Sequence, residues 1–169
     1  WGILPITFAF PLISVTSPSE FFIPFIGNTN LDYELFSGIT LSDFFKVLII
    51  PIYVMVVANL VNMHSGYNGL QSGLSVIILI TLFLKSYLDG TYNSLIFMSS
   101  FIGSLLAFWS FNFYPARAFE GNVGSQLFGS LIGCIIVIQE YWWFGFFILL
   151  PHTFNFLLWV VWLYLMKKK

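Results

Sequence analysis

Charge is what this sequence has least of. Six Lys and Arg and seven Asp and Glu make up 8% of 169 residues, against roughly a quarter in a soluble domain, and a water-soluble fold is excluded. The two signs nearly cancel, to a net charge of −1. That argues against nucleic acid as a partner, because polyanion binding draws on clustered Lys and Arg that displace counterions from phosphates. Cysteine is nearly absent too. Cys134 stands alone inside an apolar run, so no internal disulfide can form, and with only two histidines a structural zinc site lacks its ligands. The first residue is Trp, and no basic segment precedes the first apolar run, so no signal peptide is visible. The expectation is of a chain cut within a longer protein.

What the sequence has instead is 59% hydrophobic and 21% aromatic residues, gathered into six apolar runs. These are Trp1 to Val15, Phe44 to Val61, Leu74 to Leu88, Ser94 to Phe113, Val123 to Ile138 and Trp142 to Met166. A membrane-crossing helix uses about 20 residues, so residues 1–169 read as one transmembrane domain. The expected fold is all-α, a polytopic helical bundle of about six spans joined by short loops. The first run would rise only about 22 Å as a helix, short of a hydrocarbon core of roughly 30 Å.

Between the first two runs, EFFIPF and LDYELF flank the turn-like Gly27-Asn28-Thr29-Asn30, which predicts a small β-hairpin on the extracytoplasmic side. Ser42 or Asp43 can cap the helix that follows. Pro51 and Pro151 should kink their spans, and Gly129 with Gly133 forms a small-xxx-small pair suited to a close helix contact.

Alternation of spans puts the segments Asn62 to Asn68, Asn112 to Gly121 and Lys167 to Lys169 on one face. That face carries four of the six Lys and Arg, and six of the seven acids fall at the opposite ends. The basic excess marks the first face as cytoplasmic. Lys46 and Lys85 sit near span ends, from which they can snorkel to the interface.

Two segments on that face carry polar side chains in a suggestive order. In NLVNMHSGYNGLQSG, Asn59 and Asn62 are three apart and share a helix face, while Gly66 and the glycines after it permit close backbone approach to a ligand. The plainer account is helix glue and a turn, and the segment alone favours it. In FNFYPARAFEGNVGS, a helix start follows Arg117, and free N–H groups there attract phosphate, to which Arg117 could add a bidentate contact. Arg117 alone reads equally as an orienting arginine at the interface. Glu120 either ligates a cation or pairs with Arg117. His64 and His152 fall on different loops, without a metal-ligand partner at ligand spacing, and hydrogen bonding in the bundle is the expected role of each.

Taken together with PHTFNFLL at 151–158, the two segments resemble the polyprenyl-phosphate N-acetylhexosamine-1-phosphate transferases, the family that includes MraY and the enzyme that starts dolichol-linked glycan assembly. NLVNMHSGYNGLQSG is similar to the family's NxxNxxxGxNGLxxG loop, FNFYPARAFEGNVGS to its NxYPxxxFxGDxG segment, and PHTFNFLL to PQxFNFL of the dolichol-type branch. The resemblance implies a multi-pass membrane enzyme with its active site on the cytoplasmic face. It would move N-acetylhexosamine 1-phosphate, by preference GlcNAc-1-phosphate, from a UDP-sugar to a polyisoprenyl phosphate and release UMP. It implies Mg²⁺, with Mn²⁺ as the alternative, and a homodimer as an assembly to test. Carried over by position, Asn62 and Asn122 would hold the metal or diphosphate, Gly66 and Asn68 would contact uracil, Phe119 would stack on it, Arg117 would bind phosphate and Asn59 would support Asn62.

Three departures stand beside these matches. The family's Asp-Asp pair and its basic or histidine-rich loop are absent, and the metal-binding Asp of its Gly-Asp is here Asn122. The isolated piece is therefore expected to be inactive. A non-catalytic family member or binding subunit is one rival reading, and a small transporter or channel with polar asparagines at the bilayer midplane is another.

Overall fold

The computed structural model describes residues 2–3, 5–16, 20–23, 27–36 and 38–167. Helix α1 (Pro5–Val15) has 11 residues, a rise of about 16 Å, too short to cross a bilayer. Among the described residues four helices are long and apolar enough to do so: Leu41–Asn62, Leu70–Leu88, Tyr92–Asn112 and Gly121–Ile138. A fifth crossing exists if α7 (Trp142–Ile148) and α8 (Leu150–Lys167), bent by 58° at their junction, act as one broken span. Among the described residues four or five crossings are thus found, and the expected six are not confirmed, since the first apolar run contributes only the short α1. The chain forms an integral membrane helical bundle.

The connection after α1 differs from the expected hairpin. Strand β1 (Glu20–Ile23) pairs antiparallel with β2 (Gly27–Asn30), in the register Glu20↔Asn30 and Ile23↔Gly27. The segment Gly27–Asn30, read as a turn, is therefore itself a strand. Pro24 has no N–H to donate to a ladder, which favours ending the first strand before it; residues 24–26 lie outside those described. Strand β3 (Glu34–Phe36) pairs separately with β4 (Ile39–Thr40).

The next helix opens with α2 (Leu41–Phe44). Its cap is Thr40 rather than Ser42 or Asp43. Thr40 Oγ1 accepts the Asp43 N–H at 3.2 Å, and Asp43 Oδ2 accepts the Thr40 N–H at 3.0 Å, a reciprocal capping box. A π-helical turn over Phe45–Ile49 leads into α3 (Ile50–Asn62). Pro51 lacks the N–H that residue 47 would receive, and this widened turn accommodates the missing bond. At the other proline the chain breaks: Pro151 stands in the first turn of α8, just past the 58° bend.

Helices α3 and α6 (Gly121–Ile138) form the centre. A Cβ on Gly129 would lie 2.5 Å from Ala58 Cα, and one on Gly133 would lie 3.2 Å from Val54 Cα, so the small pair does bring two backbones together. In lipid, where apolar side chains gain nothing by leaving water, such close packing is the main source of association. Val57, Val61, Leu79, Leu82, Met98, Ile132 and Ile136 fill the core around this seam. α4 (Leu70–Leu88) pairs with α5 (Leu95–Asn112), and α1 lies against α3 and α6. α5 buries only Met98, Leu105 and Asn112, and α8 buries only His152. At the end of α4 remote from the asparagines, Lys85 pairs with Asp89 and sits 4.8 Å over the Tyr141 ring. The positive charges of Lys168 and Lys169 lie outside the described residues.

Candidate functional site

The two asparagines at the end of α3 make different bonds. Asn59 Nδ2 donates to the carbonyls of Gly2 at 2.8 Å and Met55 at 2.7 Å, and its Oδ1 accepts from Gln126 Nε2 at 3.3 Å. Both amide hydrogens are used, which is helix glue. Asn62, the last residue of α3, accepts the Ser125 hydroxyl on Oδ1. Ser125 Oγ lies 3.1 Å from the Asn122 carbonyl as well, so the end of α3 is tied to the first turn of α6. No side chain caps that turn at Glu120, and Asn122 and Val123 are exposed. The free N–H groups there favour an anion.

The loops that follow α3 and α5 are bolted together by one residue the sequence reading passed over. Asn112, fully buried at the end of α5, accepts the Gly69 N–H at 2.9 Å and the Ser72 hydroxyl at 2.7 Å on Oδ1. Its Nδ2 donates to the Ala118 carbonyl at 2.9 Å and to Glu120 Oε2 at 3.0 Å. Trp109 Nε1 donates to the Gly69 carbonyl at 3.1 Å. Gly69 has φ +71, and a Cβ there would press on the Trp109 nitrogen at 3.3 Å, so only glycine meets both demands.

This settles where Glu120 points: to Asn112. Among the described residues Arg117 has no ion pair, and its guanidinium is exposed. Burial pushes the Glu120 carboxyl above its ordinary range, opposed by the Asn112 bond. Gly66, Asn68 and Phe119 are exposed on the same two loops, and nothing lies within 4 Å of where a Gly66 Cβ would sit. The structure thus joins Asn59, Asn62 and Asn122 through Ser125 and Gln126 and brings their loops together through Asn112. The signal of Asn112 in the sequence is that it opens the NxYP match of the second segment.

The two histidines are not apart. Their ring centroids are 4.5 Å from each other in an edge-on arrangement, with His64 7% and His152 1% exposed. Tertiary packing overrides their separation along the chain. His64 lies beyond the end of α3, and burial holds its imidazole below its ordinary value.

An apolar groove of about 930 Å³ runs between α3 and the α7–α8 pair. Val56, Leu60, Phe146, Leu149, Phe156 and Leu157 are among the residues along it, and Asn59 and Asn62 stand at one end.

A divalent metal finds little here. Among the described residues no group of three or more His, Cys, Asp or Glu could hold one. Asn62 and Asn122 offer only neutral amide oxygens, and that of Asn62 is already engaged. Mg²⁺ prefers carboxylates and phosphates, so these residues do not by themselves compose its site.

A family model described as "Glycosyl transferase family 4" matches residues 3–140. Two proteins named "Putative UDP-N-acetylglucosamine--dolichyl-phosphate N-acetylglucosaminephosphotransferase" are similar to this chain. That of Sulfolobus acidocaldarius is 33% identical over 160 residues, covering 92% of this chain and 45% of that protein. That of Saccharolobus solfataricus is 38% identical over 135 residues, covering 78% and 39%. The phospho-N-acetylmuramoyl-pentapeptide-transferase of Clostridium novyi is 31% identical over 123 residues, covering 72% and 34%. The chain spans less than half the length of these curated relatives.

Proposed function

The chain belongs to glycosyl transferase family 4, and from that premise we propose that its protein transfers N-acetylglucosamine 1-phosphate from UDP-GlcNAc to a dolichyl-type polyisoprenyl phosphate. An oxygen of the lipid phosphate attacks the β-phosphorus of the donor, the bond from that phosphorus to the bridging oxygen breaks, and UMP leaves with the electron pair. The products are a lipid-linked diphosphosugar and UMP, the first step of lipid-linked glycan assembly.

The observation that carries this reading is the apolar groove ending at Asn59 and Asn62, beside the uncapped start of α6. A long isoprenoid with a phosphate head is an amphiphile of that form. The tail would lie against Val56, Leu60 and Phe156, and the head would meet the Asn62 amide and the α6 N–H groups. The donor would sit over the loops that Asn112 joins. Gly66 and Asn68 would contact the uracil, Phe119 would stack on it, and the Arg117 guanidinium would reach a phosphate in bidentate fashion. Asn59 would act by fixing α3 against Gln126 and residue 2. Phosphoryl transfer depends on such positioning and on stabilising charge as it develops. The basic excess around Arg117 supports a cytoplasmic face for this site, and the extramembrane strand pairs would then lie on the other side.

The resemblance also implies Mg²⁺ or Mn²⁺. The amide donors of Asn62 and Asn122 do not fit a complete site, and no step is drawn through a metal. The same observation favours a second reading, a family member that binds these ligands without turnover. A transporter is disfavoured because Asn62 and Asn112 are the terminal residues of their helices. UMP release from UDP-GlcNAc by the full-length protein, with and without polyprenyl phosphate, separates the readings. Release that requires the lipid supports transfer, and binding of both ligands without release supports the second.

A further inference from the structure

Helix α8 buries one side chain, His152. Its neighbours Leu149 and Thr153 line the groove from one wall, and Asn62 and Met63, which precede His64, line it from the other. The two imidazoles, adjacent in sequence to these lining residues, meet each other outside the groove lining. Among the described residues, both nitrogens of His152 are buried without a hydrogen-bond partner. Edge-on ring contacts are directional, so this one fixes orientation as well as distance.

The loop it touches has few other ties. His64 N–H donates to the Val61 carbonyl at 3.2 Å and Ser65 N–H to the Asn62 carbonyl at 3.1 Å, both bonds local to the turn. Asn112 holds the far end at Gly69, while Gly66, Tyr67 and Asn68 between are exposed. The near end, including Asn62, is therefore held from outside α3 by Ser125 and by the histidine pair.

We propose that His152 is a positioning residue that sets the loop of residues 62–69 by holding His64, and so couples the α8 wall of the groove to the loop over which the donor sits. This inference rests on the acceptor and donor reading above. A tail entering the groove bears on α8, and the histidine contact passes that displacement to Asn62 and the loop.

The test is a double-substitution cycle in the full-length protein. His152→Ala and His64→Ala should each raise KM for UDP-GlcNAc about tenfold with a smaller change in kcat, and the double variant should be no worse than the worse single, since both remove one contact. His152→Phe, which keeps an aromatic ring for the edge-on contact, should recover most of the loss. Additive effects, or kinetic constants unchanged per folded protein, overturn the proposal. Hydrogen exchange of residues 63–69 provides a readout independent of turnover. It should quicken in His152→Ala and in His64→Ala, and unchanged exchange also overturns the proposal. An unsubstituted protein that releases no UMP counts against the proposed function instead, and the exchange experiment still decides the histidine contact.

Discussion

Asn112, at the end of α5, accepts the Gly69 N–H at 2.9 Å, and this side chain joins the loop after α3 to the loop after α5. The same amide reaches Ala118 and Glu120 on its other side. A side chain with two donors and two acceptor sites can do this, and no apolar residue of similar size can.

Asn112→Leu should therefore be costly beyond its change in volume. It leaves the buried Ser72 hydroxyl without its acceptor, at about 1–3 kcal/mol, and removes the partner of the part-buried Gly69 N–H and Ala118 carbonyl as well. Thermal unfolding in detergent should show a clear loss of stability, with weakened UDP-GlcNAc binding in the fraction that folds. An unchanged unfolding temperature would contradict the role given to this bond.

The seam between α3 and α6 is the second target. Gly129→Ala places a methyl 2.5 Å from the Ala58 backbone, whereas Gly103→Ala on α5 meets nothing within 4 Å. The first should destabilise by about 1–3 kcal/mol through overpacking. The second should be neutral or slightly stabilising, because alanine is the better helix former. Unfolding curves of the two variants side by side check the contrast.

At the start of α6, Asn122→Asp converts a neutral oxygen donor into a carboxylate beside an uncapped helix end. In the full-length protein it should strengthen dependence on Mg²⁺, read as a lower metal concentration for half-maximal UMP release. A metal titration that does not move would remove Asn122 from the site.

The groove makes a separate prediction. Val56→Trp adds bulk to its wall about one turn of α3 before Asn59, short of the loops. KM for polyprenyl phosphate should rise roughly tenfold, about 1.4 kcal/mol, while KM for UDP-GlcNAc stays constant. A change confined to the donor KM would show that the groove does not hold the acceptor.

Much of this architecture is legible in the sequence, because lipid imposes length and polarity on each span. The runs read as ending at Val61, Leu88, Phe113 and Ile138 form helices that end at Asn62, Leu88, Asn112 and Ile138, and the Pro151 break and the Gly129–Gly133 contact follow from local chemistry. Features that depend on partners distant in the chain do not. The stretch from Trp1 to Val15 is apolar enough for a span yet yields an 11-residue helix. The turn-like Gly27–Asn30 becomes a strand because it finds a partner in Glu20–Ile23. Thr40, four residues before the apolar run that begins at Phe44, takes the cap because Asp43 answers it three residues later. The site divides the same way. Asn59 and Asn62 are visible as a pair by helical spacing, but the Asn112 bolt, the Ser125 tie and the contact of His64 with His152 arise only when α5, α6 and α8 are brought against the end of α3.

The central claim is transfer of a sugar together with its phosphate, and following the β-phosphate tests it most directly. With UDP-GlcNAc labelled at that phosphorus and an excess of polyprenyl phosphate, the full-length protein should move the label into the lipid fraction in step with UMP release, one for one. Label that stays in the aqueous phase as UDP, with sugar alone passing to the lipid or to water, would contradict the account.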